Sequence, residues 1–313
     1  MDTFDKFVLR DRLAALAAKG VFVGTSSWKY PGWLGTVYDD SRYQYRGKFA
    51  QSRFDKNCLA EYAETFKTVC VDAAYYAFPS RENLQGLAAQ VPADFRFGFK
   101  VTDVITIKRF PDLSRFGPHA GQPNPDFLSA EAFARKFIEP CAAIQSQVGI
   151  LIFEFTRFQR NDFASGREFV AALDPFLASL PRGWPYGIEL RNRGWLTPEY
   201  FDCLARHQVA HVFNSWTKMP TVGTQLALPE TRPNPALVGA RFLVTPGTFY
   251  ETSVAAFEPF DEIKQVDEDA RAAARTLITE GMAKPGRRTF LYVNNRLEGS
   301  APRTIDALVA LVL

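Results

Sequence analysis

Eight short, nearly continuous apolar runs recur along the chain, and a loop or a segment with helical spacing follows each of them. Runs of this kind are typical of strands that are buried on both faces of a parallel sheet. Eight strand–helix units suit the roughly 250 residues that a TIM-type barrel needs, so the pattern predicts an α/β fold of the (β/α)₈ type. The predicted strands are residues 21–25, 68–72, 95–100, 149–154, 186–190, 209–214, 240–245 and 289–294.

The alternation of strands and helices continues without a break at which the chain could be divided. Of the 313 residues, 47% are hydrophobic, which is enough for one large core. We therefore predict a single domain over residues 1–313, with residues 1–20 as a helical extension ahead of the first strand. This extension mixes charges of both signs and has no apolar segment typical of a signal peptide.

Charge and cysteine content limit the classes of partner and compartment. The 37 basic residues are nearly matched by 34 acidic ones, and the net charge of +3 is too small to predict nucleic acid binding. Four well-separated cysteines without a C-x-x-C pair indicate buried structural thiols in a reducing compartment. No stretch reaches the ~18 apolar residues of a membrane helix. We expect a cytoplasmic protein with no membrane partner.

Polar residues occur where the predicted strands end. In TIM-type barrels these ends surround the catalytic face, so we expect the side chains to converge on one polar pocket. The candidate catalytic residues are Lys100, Glu154 and Glu189. The candidate binding residues on the same face are Ser26, Asp72, Tyr76, Arg191, Asn294 and Asn295.

The connection after the first strand, residues 26–47, is far longer than the ~2–6 residues usual between a strand and a helix. It is rich in aromatic residues, among them Trp28, Trp33 and Tyr38. Because long loops after barrel strands lie on the catalytic face, we expect this aromatic loop to lie over the barrel mouth and to stack on a ligand. Two further long connections are residues 103–124 and 246–260.

Six segments carry a likeness that covers residues 21–308. In chain order they read GTSSWKYPGW, VDAAYYAFPS, FRFGFKV, VGILIFEF, GIELRNRGW and LYVNNRLEGSAPRT. Together they resemble the YecE-like family, also known as domain of unknown function 72. The resemblance implies a TIM-type barrel and a set of positions at its mouth, and it implies no activity because the family has none assigned.

The chain departs from the family pattern in three places. Val71-Asp72-Ala73 stands where the family usually has Glu-hydrophobic-Asn, and Glu154 stands where a glutamine is usual. The seventh-strand segment commonly carries an arginine and a His-Gly pair, whereas residues 243–247 read LVTPG. If these groups bind a shared ligand, this chain binds a variant of it or has a retuned site.

Glu189 and Arg191 are two positions apart, so their side chains fall on the same side of the fifth strand. The glutamate could act as a general base while the arginine binds a carboxylate or phosphate, and a structural ion pair is the alternative. Lys100 could form a Schiff base or bind phosphate. It could instead neutralise Asp72 or Glu154, because unpaired buried charges are rare.

Asp72, Glu154 and Glu189 could together hold a single divalent cation such as Mg²⁺, which prefers oxygen ligands. A zinc cluster is disfavoured because the three histidines fall in a loop, a helix and a strand, and we assign no metal ligand. Glycoside hydrolysis would require Glu154 as the acid and Glu189 as its partner, since the seventh strand ends without an acidic residue.

Asn294 and Asn295 close the eighth strand just before a predicted helix that begins near Ala301. Amides beside a helix N-terminus at this corner of a barrel commonly bind phosphate, although paired asparagines also satisfy loop carbonyls. Trp195, beyond the fifth strand, could stack on a sugar or base or could pack in the core.

These observations support two functional hypotheses. The first is an enzyme that acts on a small polar or anionic ligand, phosphorylated or carbohydrate-like, at the C-terminal face of the barrel. The alternative is a non-catalytic protein that binds single-stranded nucleic acid or another polymer through the aromatic loop. Affinity for a polyanion would then fall steeply with ionic strength.

Overall fold

Eight parallel strands close into one barrel in the computed structural model, which describes residues 4–313 except for the side chains at positions 250 and 251. Each strand pairs with its neighbours in the chain, and the first strand pairs with the last. The fold is therefore the predicted single-domain TIM-type barrel. The strands are β1 Val21–Thr25, β2 Thr68–Val71, β3 Arg96–Lys100, β4 Val148–Phe155, β5 Tyr186–Leu190, β6 Ala210–Asn214, β7 Leu237–Phe242 and β8 Arg288–Val293.

Helices and short helical turns connect the strands around the outside of the barrel. The α-helices are α1 Lys6–Ala18, α2 Gln51–Thr65, α3 Ala73–Tyr76, α4 Arg81–Ala88, α5 Ala130–Phe133, α6 Glu139–Cys141, α7 Gly166–Ala178, α8 Pro198–Arg206, α9 Val222–Leu226, α10 Tyr250–Phe257, α11 Glu268–Met282, α12 Asn295–Glu298 and α13 Ala301–Val309. A π-helical segment, Ala134–Ile138, joins α5 to α6. The 3₁₀ turns are Pro31–Trp33, Asp40–Tyr43, Asp103–Ile105, Ser114–His119, Ala142–Gln147 and Arg193–Trp195. A small antiparallel hairpin pairs Gln44–Tyr45 with Lys48–Phe49.

Helix α1 occupies most of the predicted N-terminal extension, whose first three residues lie outside the described residues. Asp5 caps this helix by accepting a hydrogen bond from the amide of Phe7 over 2.8 Å, which satisfies a free N–H group of the first turn. Leu9, Leu13 and Leu16 recur at helical spacing and are buried. The extension is thus held to the barrel by an apolar stripe.

Alternate strand positions fill the barrel interior. On β8, Phe290 and Tyr292 belong to the interior cluster, whereas Leu291 belongs to the larger cluster shared with the surrounding helices. Gly98 on β3 leaves room for the interior tyrosine, because a Cβ at this position would lie 2.3 Å from the Tyr292 hydroxyl. The barrel interior around these residues is therefore a packed core.

The seventh strand begins and ends three residues earlier than the sequence pattern predicts. Apolar residues flank Arg241 on both sides within the segment 237–245, which reads LVGARFLVT, so hydrophobicity could not fix the end of the strand. Pairing with β8, from Leu237 opposite Arg288 to Phe242 opposite Val293, sets the boundary. The polar residue near the end of β7 is consequently Arg241, while Thr245 lies beyond the strand.

All four cysteines, Cys58, Cys70, Cys141 and Cys203, are buried free thiols, as predicted. Within residues 4–313, no helix combines the length and the apolar character needed to cross a membrane.

Candidate functional site

The inward-facing positions of the barrel become charged near the C-terminal ends of four strands. Lys100 ends β3, Glu154 lies on β4, Glu189 on β5 and Arg241 on β7, and all four are buried. Each stands two residues beyond an inward-facing glycine or isoleucine, so the period of a strand places it on the same side. A charged layer therefore lies directly on the apolar interior of the barrel.

Arg241 is the centre of this layer. Its Nη1 lies 2.7 Å from Oε2 of Glu154 and 2.6 Å from Oε2 of Glu189, and its Nη2 lies 3.3 Å from Oδ1 of Asp72. One guanidinium thus joins carboxylates from three separate parts of the barrel. Charged groups without water are costly unless they are paired, so these contacts offset the cost of burying the guanidinium and the carboxyl groups.

Two further cations complete the charged layer. Lys100 Nζ and Arg191 Nη2 lie 2.9 Å and 2.8 Å from Oε2 of Glu154. Arg191 also contacts Oε1 of Glu189 through Nε at 3.0 Å and Nη2 at 2.8 Å. The same-side placement of Glu189 and Arg191 that their spacing predicts is confirmed, and so is the neutralisation of Glu154 by Lys100.

Aromatic rings lie beside two of these cations. Lys100 Nζ lies 3.8 Å from the ring centre of Tyr75, and the guanidinium carbon of Arg191 lies 4.0 Å from that of Trp216. Both distances are well within the range of cation–π attraction. Lys100 thus contacts both Glu154 and the ring of Tyr75 within the charged layer.

The two carboxyl groups that face the open mouth have opposite electrostatic surroundings. Burial alone would raise the pKa of Glu154, but Arg191, Lys100 and Arg241 outweigh it and hold that pKa well below its usual range. Loss of water around the part of Asp72 that faces the barrel raises its pKa although the side chain is 35% exposed, and the attraction of Arg241 and Lys100 only partly offsets this rise. Asp72 is accordingly the carboxyl group at the mouth that takes up a proton more readily.

A cavity of about 480 Å³ opens above the charged layer, within the usual range for small-molecule sites. Among the described residues that line it, five are cationic and only two are acidic. The cationic ones are Lys100, Arg115, Arg191, Arg241 and Arg296, and the acidic ones are Asp72 and Glu154. Tyr75, Tyr76, Trp216, Leu113, Leu243 and Val244 add aromatic and apolar surface. The cavity therefore favours an anion that also carries an apolar or ring portion.

The three carboxylates considered for a divalent cation are brought together, but each already contacts Arg241. Glu154 contacts Lys100 and Arg191 as well. An added Mg²⁺ would have to approach three positive groups at short range, which Coulomb repulsion disfavours. The chemistry of this donor set therefore fits an anion above the cations better than a metal among the carboxylates.

Arg241 is the central residue that the sequence analysis missed. Arg241 lies two positions before the segment 243–247, where the family pattern led us to expect an arginine. An alternating pattern was available as a signal: Leu237, Gly239 and Arg241 occupy every second position and all face inward. Trp216, in the loop after β6, and Arg115, in the 3₁₀ turn Ser114–His119, were also missed, because periodicity gives no direction in such connections.

The aromatic loop is folded away from the mouth. Trp33 and Tyr38 are fully buried and pack against the rings of Tyr62 and Phe54 on α2. Trp28 is also buried, and its carbonyl accepts a hydrogen bond from the Tyr38 hydroxyl. None of the three lines the cavity. The apolar surface of these rings packs against α2 and anchors the loop to that helix, which explains why so many aromatic residues occur in the loop.

The corner formed by Ser26, Asn294 and Asn295 is filled rather than open. Asn295 is buried, and its Oδ1 accepts a hydrogen bond from the Ala301 amide over 2.8 Å at the start of α13. The first amide of α13, which a phosphate would need, is thus occupied by the chain itself. Ser26 is buried beside Asn295, and only Asn294 reaches the main cavity.

The fold places the other two predicted aromatic residues, Tyr76 and Trp195, in different surroundings. Tyr76 is 63% exposed and lines the cavity, where its ring lies 5.2 Å from the guanidinium carbon of Arg115. Trp195 stacks on Phe158 and Phe169 outside the cavity, with ring centres 5.9 Å and 5.5 Å away. Tyr76 is therefore placed to contact a ligand, and Trp195 is placed in the outer core.

Comparisons with known proteins agree with this barrel. The model of the family described as protein of unknown function DUF72 matches residues 22–313. A DUF72 family protein from Enterococcus faecalis V583 is 19% identical, with a TM-score of 0.61 over 93% of this chain and 97% of its own. One from Thermotoga maritima MSB8 is 20% identical, with a TM-score of 0.60 over 93% and 98%. No curated protein matches the chain. At these identities the solved structures show a shared fold.

Proposed function

The chain belongs to the DUF72 family of proteins of unknown function, and we propose that it is an enzyme acting on a small anionic molecule held at the C-terminal face of the barrel. The observation that carries this proposal is the cavity, whose described lining holds five cationic side chains against two carboxylates. A carboxylate or phosphate ester is the ligand chemistry that such a lining binds best.

The contacts among the lining residues further limit the kind of ligand that we propose. Arg191 is held against the face of Trp216 on one side of the cavity, and Lys100 is held against Tyr75 on another. These contacts fix two cations before the ligand arrives, which lowers the entropy cost of binding it. Leu113, together with Tyr76, gives surface for an uncharged portion. The ligand we propose is therefore an organic acid or sugar phosphate rather than a bare inorganic ion.

Asp72 is the group we assign to proton transfer. Its side chain is 35% exposed toward the cavity, whereas the side chains of Glu154 and Glu189 are 3% and 0% exposed. A general acid or base must come within hydrogen-bond reach of the reacting group, so the two glutamates hold the cations and Asp72 faces the ligand. Burial of Glu189 also argues against a glycosidase pair, because that carboxylate cannot contact a glycosidic bond.

A thermal-shift screen tests the proposal directly. Sugar phosphates, small carboxylates and inorganic phosphate would be added to the protein, since a ligand that prefers the native state raises Tm by mass action. We expect at least one organic anion to raise Tm and Arg191→Lys to reduce that rise, because lysine keeps the charge but loses the planar two-nitrogen contact.

The matched control is Arg167→Lys, since Arg167 is an exposed arginine paired with Glu199 outside the cavity. It should leave the response unchanged. If no anion stabilises the protein, or if both variants respond alike, the proposal of an anion site at the mouth is wrong.

The nucleic-acid hypothesis loses its main support, since Trp28, Trp33 and Tyr38 are buried against other aromatic residues. A single-stranded oligonucleotide belongs in the same screen. Binding that falls steeply with salt would favour a polyanion over the small ligand proposed above.

A further inference from the structure

Three potential metal ligands meet between α7 and α8, on the outside of the barrel. Asp174 Oδ1 lies 2.7 Å from Nε2 of His207 and 3.5 Å from Sγ of Cys203. The three ligand atoms all lie within 4.8 Å of one another. Cys203 is buried, while the side chains of His207 and Asp174 are 20% and 43% exposed. The cluster is therefore shielded from solvent on the cysteine side and open to solvent on the other.

The local sequence explains why these groups meet. Cys203 lies in the last turn of α8, and His207, four positions later, caps the C-terminal end of that helix, which brings both residues to the same end of α8. Asp174, in the last turns of α7, faces that same end from the neighbouring helix. Two ligands from one end of a helix and a third from an adjacent element are a common way to hold a tetrahedral metal.

We propose that Asp174, Cys203 and His207 form a zinc-binding site that links α7 to α8, with a water molecule as the fourth ligand. Typical Zn–S and Zn–O bonds of about 2.3 and 2.0 Å place sulfur and oxygen ligands about 3.5 Å apart in a tetrahedron. The distance between Cys203 Sγ and Asp174 Oδ1 is 3.5 Å. The nitrogen–oxygen distance must lengthen by about 0.6 Å, which a partly exposed histidine and aspartate can accommodate.

The chemical types of the three ligand atoms indicate which metal the site would bind. One sulfur, one imidazole nitrogen and one carboxylate suit zinc, whereas Mg²⁺ and Ca²⁺ require oxygen ligands. Burial, and to a smaller extent Asp174, raises the pKa of the Cys203 thiol to about 12. Zinc must therefore displace the thiol proton, which passes to the solvent as the Zn–S bond forms. It must also displace the Nε2 proton that His207 donates to Asp174, which moves to Nδ1 or passes to the solvent as the Zn–N bond forms.

Arg206 would compete with a metal ion for the carboxylate of Asp174. Its Nη2 lies 3.0 Å from the same Asp174 Oδ1 that would bind the metal. A metal ion and a guanidinium cannot both occupy that oxygen without strong repulsion, so Arg206 must move away on binding. Removing its charge should strengthen zinc binding, which is the opposite of what removing a ligand does.

The zinc site stands apart from the proposed anion site. Asp174, Cys203 and His207 lie toward the C-terminal ends of their helices, which in a strand–helix barrel point to the N-terminal face. That face serves stability in such barrels, whereas reactions take place at the opposite end. The expected consequence of zinc is thus a higher Tm, independent of any ligand at the mouth.

Cobalt titration tests the proposal, because tetrahedral Co²⁺ bound to a thiolate gives an intense visible spectrum and a near-ultraviolet charge-transfer band. The full-length protein would be treated with EDTA, dialysed and titrated with Co²⁺, and then with Zn²⁺ as a competitor. We expect one Co²⁺ per chain with a thiolate band, displaced by one Zn²⁺, together with a zinc-dependent rise in Tm.

Four variants separate the site from adventitious binding. Cys203→Ser should abolish the thiolate band, His207→Ala should weaken binding at least tenfold, and Arg206→Ala should strengthen it several-fold. The control is His119→Ala, since His119 is an exposed histidine in a distant turn, and it should bind as the wild type does. Far-ultraviolet circular dichroism in EDTA checks that each variant is folded.

Two results would overturn the zinc site. One is a thiolate band that persists in Cys203→Ser, and the other is zinc binding that occurs only at millimolar concentration and is equal in all variants. Either would mean that Asp174 only pairs with Arg206 and His207 here and that Cys203 is only a buried thiol.

Discussion

Arg241 on β7 donates from Nη1 to Oε2 of Glu189 on β5 over 2.6 Å, and neither residue is more than 2% exposed. Strand β6 lies between the two strands, so the ion pair spans the barrel interior. The same nitrogen contacts Glu154. These contacts make Glu189 part of the support for the cavity floor and leave the cations above it in fixed positions for a ligand.

Glu154→Gln should strongly destabilise the protein. The change leaves Lys100, Arg191 and Arg241 crowded together without the carboxylate that all three contact. Breaking a buried ion pair on one side typically costs about 3–5 kcal/mol, and we expect a loss of that size in urea unfolding.

Glu199→Gln is the matched control for Glu154→Gln. Glu199 forms an ion pair of 3.0 Å with Arg167, and both side chains are exposed. Such pairs contribute about 0–1 kcal/mol. Equal effects of the two substitutions would contradict the assignment of Glu154 as the partner of the buried cations.

Glu189→Gln and Arg241→Met should be less harmful together than the sum of their separate effects. Each single change leaves the other residue buried with one ionic contact fewer, whereas the double change removes both charges. For two contacting residues the coupling energy is typically about 0.5–3 kcal/mol. A double-mutant cycle in the free energy of unfolding measures it, and additive effects would show that the pair is not energetically linked.

Asp72→Asn should raise stability at neutral pH and should raise affinity for an organic anion. Because the pKa of Asp72 is raised above 3.8 in the folded state, the folded protein binds more protons than the unfolded chain above that pH. Stability contributed by this group therefore falls as pH rises through the raised pKa. Asparagine does not titrate, so the variant avoids this fall in stability, and it also lacks the negative charge at the cavity.

The Asp72→Asn comparison is made by urea unfolding at neutral pH and at a pH near 3.8, with anion binding measured at neutral pH. The stability advantage of the variant should disappear at the acidic pH. An advantage that is the same at both pH values would mean that Asp72 does not titrate as its surroundings indicate.

His211 should make the protein lose stability on acidification. Burial lowers the pKa of this histidine from 6.5 to about 3, so between these values the unfolded chain binds a proton that the folded protein excludes. The free energy of unfolding must then fall as pH decreases from 6.5, by about 1.4 kcal/mol for each tenfold difference in proton affinity.

His211→Gln cannot titrate, so its stability should depend less on pH between 3 and 6.5. His119→Gln, at an exposed position, should follow the wild type. Chemical unfolding across this pH range measures both, and parallel pH profiles of His211→Gln and the wild type would exclude His211 as the source of acid sensitivity.

Trp33→Ala and Tyr76→Ala should affect different properties. Trp33 is fully buried against Tyr62, so its removal should cost about 3–5 kcal/mol of stability and leave the affinity of the folded protein for an anion unchanged. Tyr76 is 63% exposed at the cavity, so its removal should weaken ligand binding with little change in stability. A loss of ligand affinity in Trp33→Ala, measured under conditions where the variant is folded, would restore a binding role for the aromatic loop.

The barrel could be predicted from the sequence because its strands are local signals. Each buried strand produces a short apolar run, and the spacing between runs leaves room for one helix. The same local rule placed Glu189 and Arg191 on one side of β5, and it placed Lys100 and Glu154 at strand ends.

The tertiary structure alone decided which charges meet and which aromatic residues face a ligand. Arg241 is 87 residues from Glu154 in the chain and 52 from Glu189, and their contact arises only when the barrel closes and the pairing of β7 with β8 fixes where β7 ends. Trp33 and Tyr38 could equally have stacked on a ligand or on α2, since aromatic composition does not determine the partner. Sequence periodicity determines the side of an element on which a residue lies, whereas the partner on that side depends on the packing of segments far apart in the chain.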